Sequence, residues 1–320
     1  MSKLRTVACD FGNFELKTCA GGEPTAIRSI HFKLPKGVNA LSAKPTSPII
    51  EVSGDRYHFG LQANKYSSHE KTVTQSKELL AQLHLYASLE PSEGTFRLVV
   101  SHHSPDVVRS ELTNALSGTH RYRRNGHDCS IKIDEVHVVP EGYGTYWLAK
   151  SAGLTPSSGH TVIIDIGGGS WLYRVIDQDG EIIAQSVSDR LGSFALAANI
   201  AHDERLREPL RKFGITQPDA GVVMDGFRLG HTYAETAVSW RQWLDDYRLP
   251  WFKQILGGVK AELTNLLPYC RGFVLTGGGA NLVSDRIVNV DSFEIIQNPN
   301  FSNVLGMYQE YADQSVGVTA

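Results

Sequence analysis

Four short stretches hold residues able to act on a highly charged ligand. "VACDFGNFELK" (7–17) runs apolar into Asp10, turns at Gly12 and Asn13, and returns to Lys17. "TVIIDIGGGSWLYRVI" (161–176) repeats that plan with Asp165, Gly167, Gly168, Gly169 and Ser170. "VLTGGGANLVSDRI" (274–287) ends an apolar run at Gly277, Gly278 and Gly279, and "PEGYGTYWLAK" (140–150) places Glu141 before a helical pattern. Glycine turns at the carboxyl ends of strands expose backbone N–H groups and let an anion come close. Carboxylates beside a phosphate chain repel it unless a cation intervenes, so Asp10 and Asp165 together call for Mg²⁺, which keeps its waters and takes one or two carboxylates. Lys17 supplies a point charge for terminal phosphates, and Glu141 a group to orient an attacking water. Each residue also has an ordinary role open to it: Asp, Gly and Asn make turns of every kind, and a glutamate in a first helical turn stabilises the dipole. Three glycine turns, each at the end of an expected strand, favour the phosphate site.

The elements that must position these residues follow from periodicity. Val162, Ile163 and Ile164 form the continuous apolar run of a strand buried on both faces. Both aspartate turns lead through a second turn, "AGGEP" or "DQDGE", into a third strand, "TAIRSI" or "IIAQSV". Two such strand-turn-strand-turn-strand units, half a chain apart, predict two related domains facing each other. Between them, "FRLVV" (96–100) predicts a strand, and "SPDVVRSELTNALSG" (104–118) a helix with Ser104 as N-cap, Pro105 at the first position and Gly118 as the stop. "HRYRRNGHDCSIKIDEVHVV" predicts a hairpin closed by Asn125-Gly126, with Arg121, Arg123 and Arg124 as charges guarding an exposed edge. A helix is expected after Gly279. Trp240, Trp243, Tyr247 and Trp251 recur at helical spacing, which predicts core packing ahead of a subunit contact.

Length and composition limit the function classes. At 320 residues and 41% apolar content the chain exceeds what one core usually holds, so two domains are expected. A formal charge of −3 gives no general attraction for a polyanion, and direct nucleic-acid binding is not expected. The stretch "MSKLRTVACDFG" reaches Asp10 before a leader's apolar run forms, and no later stretch has the length of a membrane span. A cytoplasmic protein without membrane attachment is therefore expected. Cys9, Cys19, Cys129 and Cys270 are widely spaced, as reduced, buried thiols would be. The adjacent His102 and His103 lack the spacing that puts metal ligands on one face.

"DFGNFELK", "PEGYGTYWLA", "DIGGGSWLYRVI" and "LTGGGANLV" resemble the first phosphate loop, connecting helix, second phosphate loop and adenosine loop of the actin, Hsp70 and sugar-kinase superfamily. Within it the chain is similar to the bacterial plasmid-segregating actins of the ParM/StbA type, through Asp10-x-Gly-Asn with Lys17, "YHFGLQAN" (57–64) and "NPNFSNVLGMYQEY" (298–311). That resemblance implies an α/β, actin-like fold with two ribonuclease-H-like domains around an interdomain nucleotide cleft. Residues 1–148, with a C-terminal helix from about 300 to 320, would form the first domain and 149–299 the second. It further implies ATP (or another NTP) with Mg²⁺ as cofactors, and an ATPase whose cycle drives filament assembly. Asp10, Gly12, Asn13 and Lys17 would serve the phosphates, and Asp10 and Asp165 the hydrated metal. Gly167, Gly168, Gly169 and Ser170 would serve the phosphates from the other side, Gly277, Gly278 and Gly279 the adenosine, and Glu141 the hydrolytic water. "DRLGSFALAANIA" (189–201) resembles the turn near the ribose, which adds Gly192 and Ser193. Implied partners are further copies of the chain and a DNA-bound adaptor of the ParR type. Two other readings remain at this stage: an exopolyphosphatase- or sugar-kinase-like enzyme, and a stable cytoskeletal scaffold.

Overall fold

The computed structural model describes residues 4–66, 77–90, 92–287 and 290–313. Contacts divide the chain into one unit made of residues up to Ala152 together with the segment from Phe301, and a second from Gly153 to Asn300. The first unit begins with β1 (Arg5–Phe11), β2 (Glu15–Cys19), β3 (Thr25–Arg28), β4 (His31–Leu34), β5 (Ile49–Val52) and β6 (Asp55–Phe59). It continues with helix α1 (Lys77–Ser88), β7 (Glu93–His102), α2 (Pro105–Leu116), β8 (Gly118–Arg124), β9 (His127–Pro140) and α3 (Tyr143–Ser151). The second unit contains β10 (His160–Ile166), β11 (Trp171–Ile176), β12 (Ile182–Ser188), α4 (Ser193–Ala201), α5 (Glu204–Leu210), α6 (Ala220–Gly226) and α7 (Asp245–Glu262). It closes with β13 (Cys270–Thr276), the single turn α8 (Ser284–Ile287) and β14 (Phe293–Ile295), and α9 (Ser302–Asp313) returns to the first unit.

Among the described residues, the first sheet runs β3-β2-β1-β7-β9-β8-β5-β6-β4 and the second β12-β11-β10-β13-β14. In both, two antiparallel hairpins in tandem are joined by two parallel neighbours: β1 to β7 and β9, β10 to β13 and β14. The repeat legible in the sequence is thus a repeat of topology. Strand alternation feeds two separate cores in the first unit. Val7, Cys9, Leu98 and Val100 pack with Ala81 and Leu85 of α1 and Leu112 and Leu116 of α2. The alternate residues Ala8 and Val99 pack with Val304 and Met307 of α9 and the half-buried Trp147 of α3. Period-two alternation sends successive side chains to opposite faces, which is why a strand covered on both sides is apolar at every position.

The expected Asn-Gly hairpin forms, while several other local expectations need correction. The β8–β9 hairpin closes at Asn125 (φ 54°) and Gly126 (φ 82°), both left-handed as an Asn-Gly turn requires. It is not an edge, because β5 pairs with β8 through Ile50↔Arg124 and Glu51↔Arg123. Arg124 is only 1% exposed, with its guanidinium bonded to Glu90 and to the carbonyls of Pro45 and Ala87; Arg121 and Arg123 alone face outward. Ser104 caps α2 by position but its side chain makes no capping bond, and the C-cap is Ser117 rather than Gly118. The aromatic segment is not one helix: Trp240 lies before a 3-10 turn, Trp243 within it, and Tyr247 and Trp251 on α7. Trp240 and Trp251 are core residues. Trp243 is half-buried, stacked by Arg205 of α5 and edge-on to Tyr247. No helix among the described residues is long and apolar enough to cross a membrane.

Candidate functional site

In the first unit the site grows from strand register. Asp10, next to last on β1, sits opposite Lys17 on β2 and Ser101 on β7. The residue is 5% exposed; its carboxylate accepts a 3.1 Å hydrogen bond from Ser101 Oγ and lies 3.7 Å from Lys17 Nζ. The turn between them is tight enough to demand glycine: a Cβ on Gly12 would lie 2.6 Å from the Glu15 carbonyl oxygen. Ser29, just after β3, pins the turn by donating from Oγ to the Asn13 carbonyl (2.7 Å) and from N to the Phe14 carbonyl (3.1 Å). Beside Asp10, burial pushes the Cys9 thiol up to about 12, so that side chain is a neutral packing group.

Glu141 follows the last residue of β9, and its N–H donates to the His102 carbonyl at 2.9 Å. It precedes Gly142, the left-handed N-cap of α3 (φ 86°), and so lies outside the first helical turn where dipole capping was the ordinary alternative. The end of α3 is organised by Asn303 of α9, whose Oδ1 accepts from Gly142 N (3.2 Å) and Gly144 N (3.1 Å). Asn303 Nδ2 donates to Ser101 Oγ at 3.0 Å, and Thr145 and Ser302 share a 2.8 Å hydroxyl contact. Sequence reasoning missed Ser101 and Asn303, although the resemblance implied that the C-terminal helix returns to the first domain, as α9 does. One signal was present: Gly306 interrupts a helical pattern, which marks a close backbone approach.

The second unit uses the same register. Asp165, 9% exposed near the end of β10, sits opposite Leu172 on β11 and Thr276 on β13, the places held in the first unit by Lys17 and Ser101. Two glycine runs, 167–169 and 277–279, and the single Gly192 converge around it. Gly167 N donates to the Ser170 carbonyl (2.9 Å), closing the second loop, and is thereby spent on the turn itself. Ser193 donates to the Gly167 carbonyl from both N (3.0 Å) and Oγ (3.2 Å), while Phe194 N donates to the Gly168 carbonyl (2.8 Å). A Cβ on Gly192 would stand 2.6 Å from that Gly168 oxygen, and one on Gly279 2.7 Å from Ser193 Oγ. Gly277 has φ 81°, its Cβ would strike the Asp165 carboxylate, and its N–H is taken by the Pro299 carbonyl at 2.9 Å. Thr276 Oγ1 donates to that same carbonyl at 3.0 Å.

Gly192, Gly277 and Gly279 therefore have an internal reason to be glycine: they let three backbone segments stack on the end of β10. Gly192 and Ser193 support the second loop from behind. The segment after Gly277 is a 3-10 turn (Gly278–Leu282), and the expected α-helix begins only at Ser284, as α8, so it does not start on the glycines. α7 braces these loops: Trp251 Nε1 donates to the Leu191 carbonyl (2.8 Å), and Arg248 Nη1 to the Leu282 carbonyl and Asp285 Oδ1 (both 2.8 Å).

Each aspartate taken by itself is the kind of ligand a hydrated Mg²⁺ accepts, a single carboxylate with room for water and phosphate oxygens beside it. Among the described residues there is no group of three or more His, Cys, Asp or Glu able to hold a metal, and each unit offers one buried aspartate near the end of its first strand. Mg²⁺ is the ion that accepts so few protein ligands when phosphate oxygens and water complete its shell. A cavity of about 550 Å³ elsewhere in the first unit, lined by Glu51, Arg56, Arg121 and Asp128 among others, includes none of these residues.

Residues 8–144 match a family model described as the N-terminal domain of actin-like proteins. No curated protein sequence matches the chain. Among solved structures, Ta0583, an archaeal actin homologue, aligns with TM-score 0.75 at 16% identity over 97% of this chain and 100% of its own. Its complex with ADP gives TM-score 0.73 at 17% identity over 97% and 99%. The protein of a 15-stranded ParM filament from Clostridium botulinum gives TM-score 0.74 at 15% identity over 98% and 99%. The fold is the two-domain actin-like fold.

Proposed function

We propose that this actin-like chain binds and hydrolyses ATP with Mg²⁺ and uses the cycle to build and dismantle filaments of itself in the cytoplasm, segregating plasmid DNA through a DNA-bound adaptor of the ParR type. The observation that carries the reading is the duplicated strand end: Asp10 against Lys17 and Ser101, Asp165 against Leu172 and Thr276, each beside a glycine turn. Only the first copy carries a lysine, which gives the two loops different work. Lys17 neutralises the terminal phosphates while it screens Asp10. Gly168, Gly169 and Ser170 bring backbone donors to the phosphate chain, and Gly278 lets the nucleoside approach, with Gly192, Ser193, Gly277 and Gly279 holding those loops in shape. Asp10 and Asp165 orient the waters of the ion, whose chemistry when bound is to neutralise phosphate charge.

Glu141 holds the attacking water. It is half-buried at the mouth of α3, ahead of the N-cap, where a carboxylate can accept a proton from water. Filament formation is supported by the fold shared with the Clostridium botulinum ParM filament, and nucleotide binding by the archaeal homologue crystallised with ADP. The test is calorimetric titration with ATP in Mg²⁺ and in EDTA, on wild-type protein and Asp165→Ala. The expected loss in EDTA and in the variant is on the order of a few kcal/mol, the scale of a key electrostatic contact in a preorganised site. Equal affinity in EDTA and Mg²⁺ overturns the reading.

A further inference from the structure

Asn303 joins two groups that the proposed chemistry must keep in register, and it does so from the far end of the chain. Its amide is used at both ends: Oδ1 faces the Gly142 and Gly144 N–H groups, and Nδ2 faces Ser101 Oγ. Two N–H donors on one side fix the amide's orientation, so Nδ2 must be the atom that meets the hydroxyl. Ser101 has a single proton, which it gives to Asp10 Oδ1 at 3.1 Å, so its oxygen accepts from Asn303. The chain of hydrogen bonds is directional, from Asn303 to Ser101 to Asp10. Asn303 is 5% exposed, and Ser101 likewise, so neither exchanges freely with water.

A side chain as short as asparagine reaches both targets because the helices touch backbone to backbone. A Cβ on Gly144 would lie 2.9 Å from the Asn303 carbonyl carbon, and one on Gly306 2.6 Å from the Gly144 carbonyl carbon. We infer that Asn303 is a positioning residue that locks the Glu141–Gly142 corner and the Asp10 carboxylate into one arrangement, acting through Ser101. This deepens, and rests on, the ATPase reading. Its effect belongs on turnover more than on ground-state binding, because it aligns a water-holding group with a phosphate-facing carboxylate and touches no ligand itself.

Asn303→Asp keeps the acceptor for Gly142 and Gly144 but replaces the donor by a second acceptor, so two carboxylates compete for the Ser101 proton. Ser101→Ala removes the link without adding charge, and Ser101→Thr retains the hydroxyl. Steady-state hydrolysis, ATP affinity and melting are measured on the full chain and all three variants. The expected result is a kcat lowered about tenfold or more in Asn303→Asp and Ser101→Ala, with ATP affinity changed less than about threefold and Ser101→Thr clearly faster than Ser101→Ala. If Asn303→Asp does not fold, the two Ser101 variants decide. A kcat per folded molecule equal to wild type in Ser101→Ala, or Ser101→Thr no faster than Ser101→Ala, overturns the inference while leaving the ATPase reading intact. Wild-type protein that neither binds nor hydrolyses ATP overturns both.

Discussion

Gly306→Ala is the perturbation most sharply defined by the geometry. The added Cβ would overlap the Gly144 carbonyl oxygen and lie 2.6 Å from its carbon and 3.2 Å from its Cα. All three are backbone atoms, so none can rotate away. Ordinary carbon contacts begin near about 3.5 Å, so α9 must move from α3 by about 1 Å. Overpacking of this kind costs about 1–3 kcal/mol, and the absence of any yielding side chain argues for the upper end. Alanine returns about 1 kcal/mol of helix propensity, which leaves a net loss of about 2 kcal/mol. For a unit of this size that lowers the melting temperature by roughly 4–8 °C. Scanning calorimetry of wild type, Gly306→Ala and Gly257→Ala supplies the test with its own control. Gly257 lies inside α7, and nothing stands within 4 Å of the place its added methyl would take, so its alanine variant should melt slightly higher. A Gly306→Ala protein melting at or above wild type would refute the close crossing, and with it the reach of Asn303.

Lys17→Ala should weaken ATP far more than AMP, because only the longer phosphate chain reaches the ammonium; equal losses for both by calorimetry would remove the lysine from the site. His58 is held below the ordinary histidine range by burial, with Nε2 near the Ser47 carbonyl (3.2 Å) and Nδ1 near Tyr66 Oη (2.9 Å). Since its folded pKa lies below the unfolded value of about 6.5, its contribution to stability is whole above that pH and is lost as pH falls below it. The urea midpoint should therefore drop between about pH 7 and pH 5, and by less in His58→Gln; the same slope in both proteins would exclude His58 as its source.

What was legible in the sequence was what is local. Asp10, Gly12 and Lys17 come together because one tight turn places them across a hairpin, and residue types alone announce such a turn. The tandem hairpins after Asp10 and Asp165 were equally plain, as was the Asn125-Gly126 turn. Ser101 and Asn303 were not, because their partners lie on other elements: the bond between them spans 202 positions. Gly192, Gly277 and Gly279 look in sequence like ligand loops, yet their Cβ positions are filled by the protein itself. Arg124 looks like an edge charge until β5 is known to cover its strand, and no local pattern on β8 records that pairing. The segment after Gly277 opens on Gly278 and Gly279, the weakest helix formers after proline, which disfavours an α-helix starting there.

The central claim is that hydrolysis, timed by Glu141, switches self-assembly off. Light scattering and phosphate release followed together after a limited pulse of ATP test it directly, with Glu141→Ala as comparator. The account predicts that wild-type scattering rises with ATP and decays as phosphate appears. Glu141→Ala should bind ATP and assemble but release phosphate about 10²-fold more slowly, so that its filaments outlast those of the wild type. Wild-type protein that hydrolyses ATP without ever scattering, or a variant whose filaments shorten on the wild-type schedule, would contradict it.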